Sequence, residues 1–480
     1  MSGPTRRQFV KVAAVTSGAV LVGCGSDGDE QVTPAPPGDA GAPDADAGSP
    51  PDDGGMPPHD AAKPIVPPEA TPESMSFPLG IASGDPGADD IVLWTQYQGA
   101  APLVATVWEM NGEAYVLEVG TFPGMAAEAG FVHVVAGGLT RGKRYRYTFF
   151  ELDGNERIGR SAIGRFRAPI ADDAMESLVF GAVSCTDNSK PFDTLGRAAE
   201  QELDAFLFLG DNSYCDGCEV LADYRDLYVE HWAKPEHQAL RASTGVLMTW
   251  DDHEVENDWN PETIAPQKLA DATQAFFEHA PIRRLPETPD RIWRSVRWGK
   301  TAEVFVLDCR SERLPSTILS GTQTYISSEQ MEWLKAGLKA STSAFKLIMN
   351  SVPITAMPLI WDVYPTDRWE GYPDQRAEIL EFIEQERIGG VAWLSGDFHL
   401  AFIGHVAVDG PGSTQLEILV GPGAQTPSPL AWTLQPPQFD WATDVNNYTA
   451  LHLDPSKLDL RVVYHDKDGA PIHDATYNLA

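Results

Sequence analysis

Cysteine is scarce in this chain, with five in 480 residues. Cys24 stands alone near the start; the others are Cys185, Cys215, Cys218 and Cys309. Cys215-Asp-Gly-Cys218 has the spacing of half a zinc site, but no second Cys-x-x-Cys or paired Cys-x-His follows, which argues against a zinc ribbon. A local disulfide between Cys215 and Cys218 is the expectation for an oxidising compartment. Long apolar runs are missing too. The stretch from Val12 to Gly23 falls short of the roughly 20 residues that span a bilayer. Basic residues are also in short supply: 35 Lys and Arg face 69 Asp and Glu, a net charge of −34. Such a surface repels polyanions, so a nucleic-acid-binding role is not expected. Metal cations are compatible with it.

What is present at the start reads as an address. Thr5-Arg6-Arg7-Gln8-Phe9-Val10-Lys11 resembles a twin-arginine export signal, and Leu21-Val22-Gly23-Cys24 resembles a lipoprotein cleavage box. Residues 1–24 are therefore expected to direct export and leave Cys24 lipidated, making a periplasmic or cell-envelope lipoprotein held to the membrane by that lipid. An ordinary Sec signal with a chance cysteine is the alternative, and it too exports the chain. Residues 25–74 are mostly Pro, Ala, Gly and Asp. They cannot bury enough apolar surface to offset their chain entropy, so a disordered tether is expected.

From 75 to 170 the pattern becomes short alternating runs: Ile91–Trp94, Val104–Trp108, Tyr115–Val119, Phe131–Val135 and Tyr145–Phe150. Turn residues such as Asp153-Gly154-Asn155 separate them, which predicts a small antiparallel β-sandwich. From 175 to 480 apolar runs alternate with helical patterns. The runs are Leu178–Val183, Ala205–Leu209, Val246–Trp250, Ala302–Leu307, Phe345–Met349 and Val391–Leu394. Candidate helices are Leu221–His231, Ala270–His279, Glu329–Ala340 and Gln375–Glu386. The predicted class is α/β: a layered catalytic domain preceded by the sandwich.

The chemistry follows the apolar runs. Behind them come, in turn, Ser184-Cys185, Gly210-Asp211-Asn212-Ser213-Tyr214, Asp251-Asp252-His253-Glu254, Asp308-Cys309-Arg310, Asn350-Ser351 and Ser395-Gly396-Asp397-Phe398-His399. Ligands of α/β sheets bind beyond the carboxyl ends of the strands, so six strand ends delivering polar groups point to one site. Carboxylates, a phenol, an imidazole and a thiolate form a mixed hard and borderline donor set, suited to a pair of unlike metals. Two metals about 3.5–4 Å apart can hold a phosphate and acidify water.

These motifs, in this order, resemble the alkaline phosphatase D family. Phe77-Pro-Leu-Gly-Ile-Ala-Ser-Gly-Asp-Pro86 and Leu93-Trp94-Thr95 resemble its N-terminal domain. The resemblance implies a metallophosphoesterase fold and hydrolysis of phosphomonoesters and phosphodiesters at an iron and calcium site, with manganese, magnesium or zinc as alternatives. It implies Asp211 as the bridge between metals, Tyr214, His399 and Cys185 on the iron, and Asp252 and Asp397 on the calcium. His253 would sit beside the phosphate as donor or proton source. Arg310, with its planar fork, is expected to clamp the phosphate. Asn350 is read either as a strand cap or as a phosphate contact. Cys215-Asp216-Gly217-Cys218 departs from the family's usual loop, and no C-terminal helix is evident to lid the site.

Plainer readings stand beside these. Cys185 alone is a buried thiol and Tyr214 alone a packing residue. Asp251 reads as a hydrogen-bond partner of the site, and His405 as structural. Two rival functions are a cysteine hydrolase using Cys185 with His253 or His399, and a non-catalytic surface-binding lipoprotein. The carboxylates at Asp211, Asp252 and Asp397 would repel a thiolate, against the first; the intact donor set argues against the second.

Overall fold

In the computed structural model, residues 65–480 are described, apart from 359 and 361–364. The expected export signal and most of the tether lie outside these. The described residues form one compact unit. Among the described residues no helix is long and apolar enough to cross a membrane.

Two mixed sheets face each other in the catalytic part. One runs in the order Pro471–Asn478, Asp459–Asp466, Asn447–Asp454, Leu178–Val183, Ala205–Leu209, Val246–Thr249, Ile81–Gly84, Asp90–Gln96, Phe131–Gly137. The other runs Arg294–Trp298, Ala302–Val306, Phe345–Met349, Val391–Ser395, Leu416–Leu419, Ala401–His405, Phe439–Thr443. Each is parallel at its centre, where the strands bearing the motifs lie. Between the sheets sits the main core, drawing Phe180, Leu207 and Leu247 from one and Val304, Leu347 and Leu394 from the other. Helices cover the outer faces. Leu221–Trp232 and Pro266–His279 bury Tyr224, Tyr228 and Phe276 against the first sheet. Ser328–Ala340 and Pro373–Gln385 pack Leu334, Leu338, Ile379 and Ile383 on Phe305, Ile348 and Trp393 of the second. The layered α/β class is as the sequence predicts.

The helix boundaries differ from expectation for a local reason. Pro266 and Pro373 occupy the first helical turn, where a fixed φ and a missing N–H cost nothing, so these helices start earlier than their apolar periodicity. Ser327 caps the third by accepting from Gln330 N at 3.1 Å.

The N-terminal β-rich part is a sandwich with a twist in its connection. A separate sheet of Ala114–Gly124, Leu103–Asn111, Arg144–Asp153, Glu156–Arg160 and Gly164–Arg167 supplies one layer. The other layer is the end of the nine-stranded sheet, with Leu93, Val132 and Val134 packed on Val107, Tyr147 and Phe149. Strand Ile81–Gly84 pairs in parallel with Val246–Thr249, so the sandwich shares a sheet with the catalytic part. Disorder expected as far as residue 74 runs too far: Thr71 is buried, and Ser74 N donates to Arg160 O at 2.8 Å. That pairing, with Arg160 N on Pro72 O at 3.0 Å, gives the segment's backbone the partners it needs. At the other end, no helix closes the chain; the last three strands extend the first sheet.

Candidate metal centre

The two sheets bring their carboxyl ends together at Gly210 and Gly396. A Cβ at Gly210 would stand 2.5 Å from Asp251 Cβ, and one at Gly396 would stand 2.5 Å from Ser184 Cβ. Glycine is required for this approach. The donors then turn inward through unusual backbone. Cys185, Asp211, Asp397 and His399 all have left-handed φ, at 54°, 53°, 72° and 53°. For residues with a side chain this costs about 1–3 kcal/mol each, and such strain collects at functional sites.

Three donor clusters result: Cys185, Asp211 and His399; Asp211, Asp252 and His253; Asp251, Asp252 and Asp397, each with ligand atoms mutually within 4.8 Å. Tyr214 joins the first, its hydroxyl 3.3 Å from Asp211 Oδ2 and 3.3 Å from His399 Nε2. Asp211 belongs to two clusters. Burial and neighbouring acids hold the Asp211 and Asp397 carboxyls well above the usual range. Asp252 is also penalised by burial, but Arg310 and His253 pull it down to about 2. Burial favours a neutral His253, yet Asp211, Asp216 and Asp252 raise it to about 11. Asp252 Oδ1 is buried with no hydrogen-bond partner. Crowded acids with an orphaned oxygen fit a site for cations.

Glu254 ties the ligand loops together. Its Oε1 accepts from Asn212 N at 2.6 Å and Asn212 Nδ2 at 3.0 Å; its Oε2 accepts from Asp211 N at 3.1 Å and Asp251 N at 2.9 Å. It is fully buried, which raises its carboxyl to about 7. The motif contained Glu254, but nothing in its spacing assigned this role.

Three expectations are corrected. Arg310 does not clamp phosphate: it is fully buried, and its fork is spent on Asp251 at 2.6 and 2.9 Å and on Asp367 at 2.6 Å. From there it lies 3.7 Å from Asp252 and 4.0 Å from Asp397, offsetting their charge from behind. Asn350 is equally buried, its Oδ1 taken by Trp369 Nε1 at 2.9 Å and the Cys309 thiol at 3.0 Å, which leaves no exposed face for substrate. Cys215 and Cys218 are free thiols, as are Cys185 and Cys309. Cys215 donates to Ser213 Oγ at 3.5 Å, and both sulfurs pack into the main core. His405 lies on the strand Ala401–His405, away from the three clusters.

A family model described as PhoD-like phosphatase matches residues 180–431, and its N-terminal domain model matches 61–169. The chain belongs to the PhoD-like phosphatase family. Alkaline phosphatase D of Bacillus subtilis (strain 168) is 29% identical over 403 residues, covering 71% of this chain and 67% of that protein. The solved structure of PhoD superposes with a TM-score of 0.72 at 24% identity, over 84% of this chain and 89% of that one. A purple acid phosphatase from yellow lupin (Lupinus luteus) seeds shares the fold at a TM-score of 0.59 and 12% identity, over 83% and 73%. This PhoD-like phosphatase is thus a metal-dependent phosphoesterase, a hydrolase whose substrates are phosphate esters. As a rival nucleophile Cys185 is poorly placed: burial and the Asp211 carboxylate push its thiol up, opposite to what a reactive cysteine needs.

Proposed function

We propose that this phosphoesterase works at two adjacent metal positions that share Asp211. The observation carrying this reading is that the Asp211 carboxylate is within reach of Cys185 and His399 in one cluster and of Asp252 in another, and that Asp252 in turn clusters with Asp397. Cys185, Asp211, Tyr214 and His399 would hold one ion, and Asp211, Asp252 and Asp397 the other. Thiolate, phenolate and imidazole donors suit Fe3+, and the carboxylates suit Ca2+, with Mn2+, Mg2+ or Zn2+ as alternatives. When bound, such a pair supplies a Lewis-acid hold on the phosphate and makes water more acidic.

The chain's own residues orient and protonate. Tyr214 packs its ring on His253, centroids 4.2 Å apart, and fixes the imidazole at the edge of the clusters. His253 then serves as the proton source for the leaving oxygen. Glu254 holds the Asp211 and Asp251 backbones, and Arg310 holds Asp251. The Arg6-Arg7 segment and Cys24 support export by the twin-arginine route and lipid anchoring in the cell envelope.

Elemental analysis of the folded, exported protein, combined with rates on an aryl phosphate and a bis-aryl phosphate, tests this. Two metals per chain and turnover of either ester are expected. A metal-free preparation with full activity would sink the two-metal reading, and metal without turnover would favour a binding role.

A further inference from the structure

Asp216 stands in the loop that departs from the family's usual pattern, between Cys215 and Cys218. Its side chain is partly exposed, yet both carboxylate oxygens are engaged. Oδ2 lies 2.7 Å from His253 Nδ1, and Oδ1 accepts from Asn257 N at 2.8 Å. Two further bonds lace the same loops: Cys215 N donates to His253 O at 2.8 Å, and Cys218 N to Cys215 O at 3.1 Å. Gly217 follows with a φ of 83°, a left-handed turn that lets the loop double back after Asp216. The buried Cys215 anchors one side of this turn in the core. A solvated surface acid would need none of this framing.

We infer that Asp216 is a positioning residue for the reaction: by accepting from Nδ1–H it fixes the imidazole of His253 so that Nε2 is the nitrogen presented to the departing ester oxygen. The inference rests on the proposed role of His253. The geometry makes a carboxylate–imidazole pair in which ring rotation would break a short hydrogen bond, while the Tyr214 ring blocks one face at 4.2 Å. As the bond from phosphorus to the leaving oxygen breaks, the Nε2 proton passes to that oxygen, and the alcohol or phenol departs. Water adds to phosphorus and releases a proton that restores Nε2–H, so the cycle closes without any further reagent. Asp216 acts only through His253 and touches neither ester nor phosphate.

The test is a leaving-group series on the metal-loaded protein, from dinitrophenyl to unsubstituted phenyl phosphate esters, comparing wild type with Asp216→Ala, Asp216→Asn and Asp216→Glu. A good leaving group needs no proton, and a poor one does. We expect Asp216→Ala to lower kcat on the phenyl ester by about tenfold to a hundredfold and on the dinitrophenyl ester by at most about threefold. KM and metal content should stay at wild-type values, with Asp216→Glu recovering part of the loss. Equal loss across the series, or loss that tracks falling metal content, would show a loop brace only and overturn the inference. So would unchanged rates in all three variants. A wild type that shows no dependence on its metals and no turnover of any ester overturns the reading of the site itself, a result distinct from any difference among the variants.

Discussion

Replacing Glu254 by glutamine exchanges one oxygen for an amide nitrogen in a fully buried position. The carboxylate accepts four hydrogen bonds, two on each oxygen, and three of the donors are main-chain N–H groups of the ligand loops. The amide can serve one pair of donors and must turn its NH2 toward the other. If it faces Asp211 N and Asp251 N, two buried donors lose their acceptor, each costing about 1–3 kcal/mol, so about 2–6 kcal/mol in total. That is a large share of the roughly 5–15 kcal/mol by which a domain is stable. Asp211 must also hold a left-handed φ of 53°, and Glu254 is what restrains its N–H. Metal affinity should therefore fall by about 10–100-fold, as for lost partners of ligands elsewhere. Urea unfolding followed by tryptophan fluorescence, on metal-free and metal-loaded protein, separates the two effects. A destabilisation under about 1 kcal/mol with undiminished metal content would refute the reasoning.

Asp211→Asn or His399→Ala should lower turnover of an aryl phosphate by several orders of magnitude, since each removes a donor from the shared clusters; near-wild-type rates in either variant count against the site. Chelation should lower the thermal midpoint as well as abolish activity, because the bound cations no longer favour the folded state and the acids at Asp211, Asp252 and Asp397 are left buried without them; differential scanning calorimetry before and after chelator reads the shift. Away from the metals, burial lowers both His231 and His279 to about 3. Their folded-state values lie below the unfolded ones, so this stability is present above about pH 6.5 and is lost as pH falls toward 3. At pH 5 the loss is about 2 kcal/mol for each. Thermal melts at saturating metal between pH 7.5 and pH 5 should show it, and His231→Gln with His279→Gln should flatten the decline.

Much of the fold was legible because strand and turn signals were local. Leu178–Val183, Ala205–Leu209 and Phe345–Met349 begin and end where their apolar runs do. The donors were legible for the same reason: each sits directly behind a strand. What escaped was set by partners far away in the chain. Arg310 looked like a free fork because Asp251 and Asp367, which occupy it, are 59 and 57 residues distant. Asp216 was given no role, since only the folded loop sets it against His253, 37 residues on. The sheet that the sandwich shares with the catalytic part was not legible, because a four-residue strand, Ile81–Gly84, carries the connection, and so short a run gives little periodic signal.

That four-residue strand has a further bearing on how the protein can be cut and reassembled. Val246–Thr249 leads straight into Trp250-Asp251-Asp252, and Ile81–Gly84 is its outer neighbour in the sheet. A chain trimmed back to residue 175 would leave Val246–Thr249 as a bare edge, with unpaired N–H and C=O groups inviting another copy to dock. The N-terminal part is therefore no detachable accessory to the catalyst. It is the sheet's own border, and any chimera that swaps it must carry a strand able to finish that border in parallel.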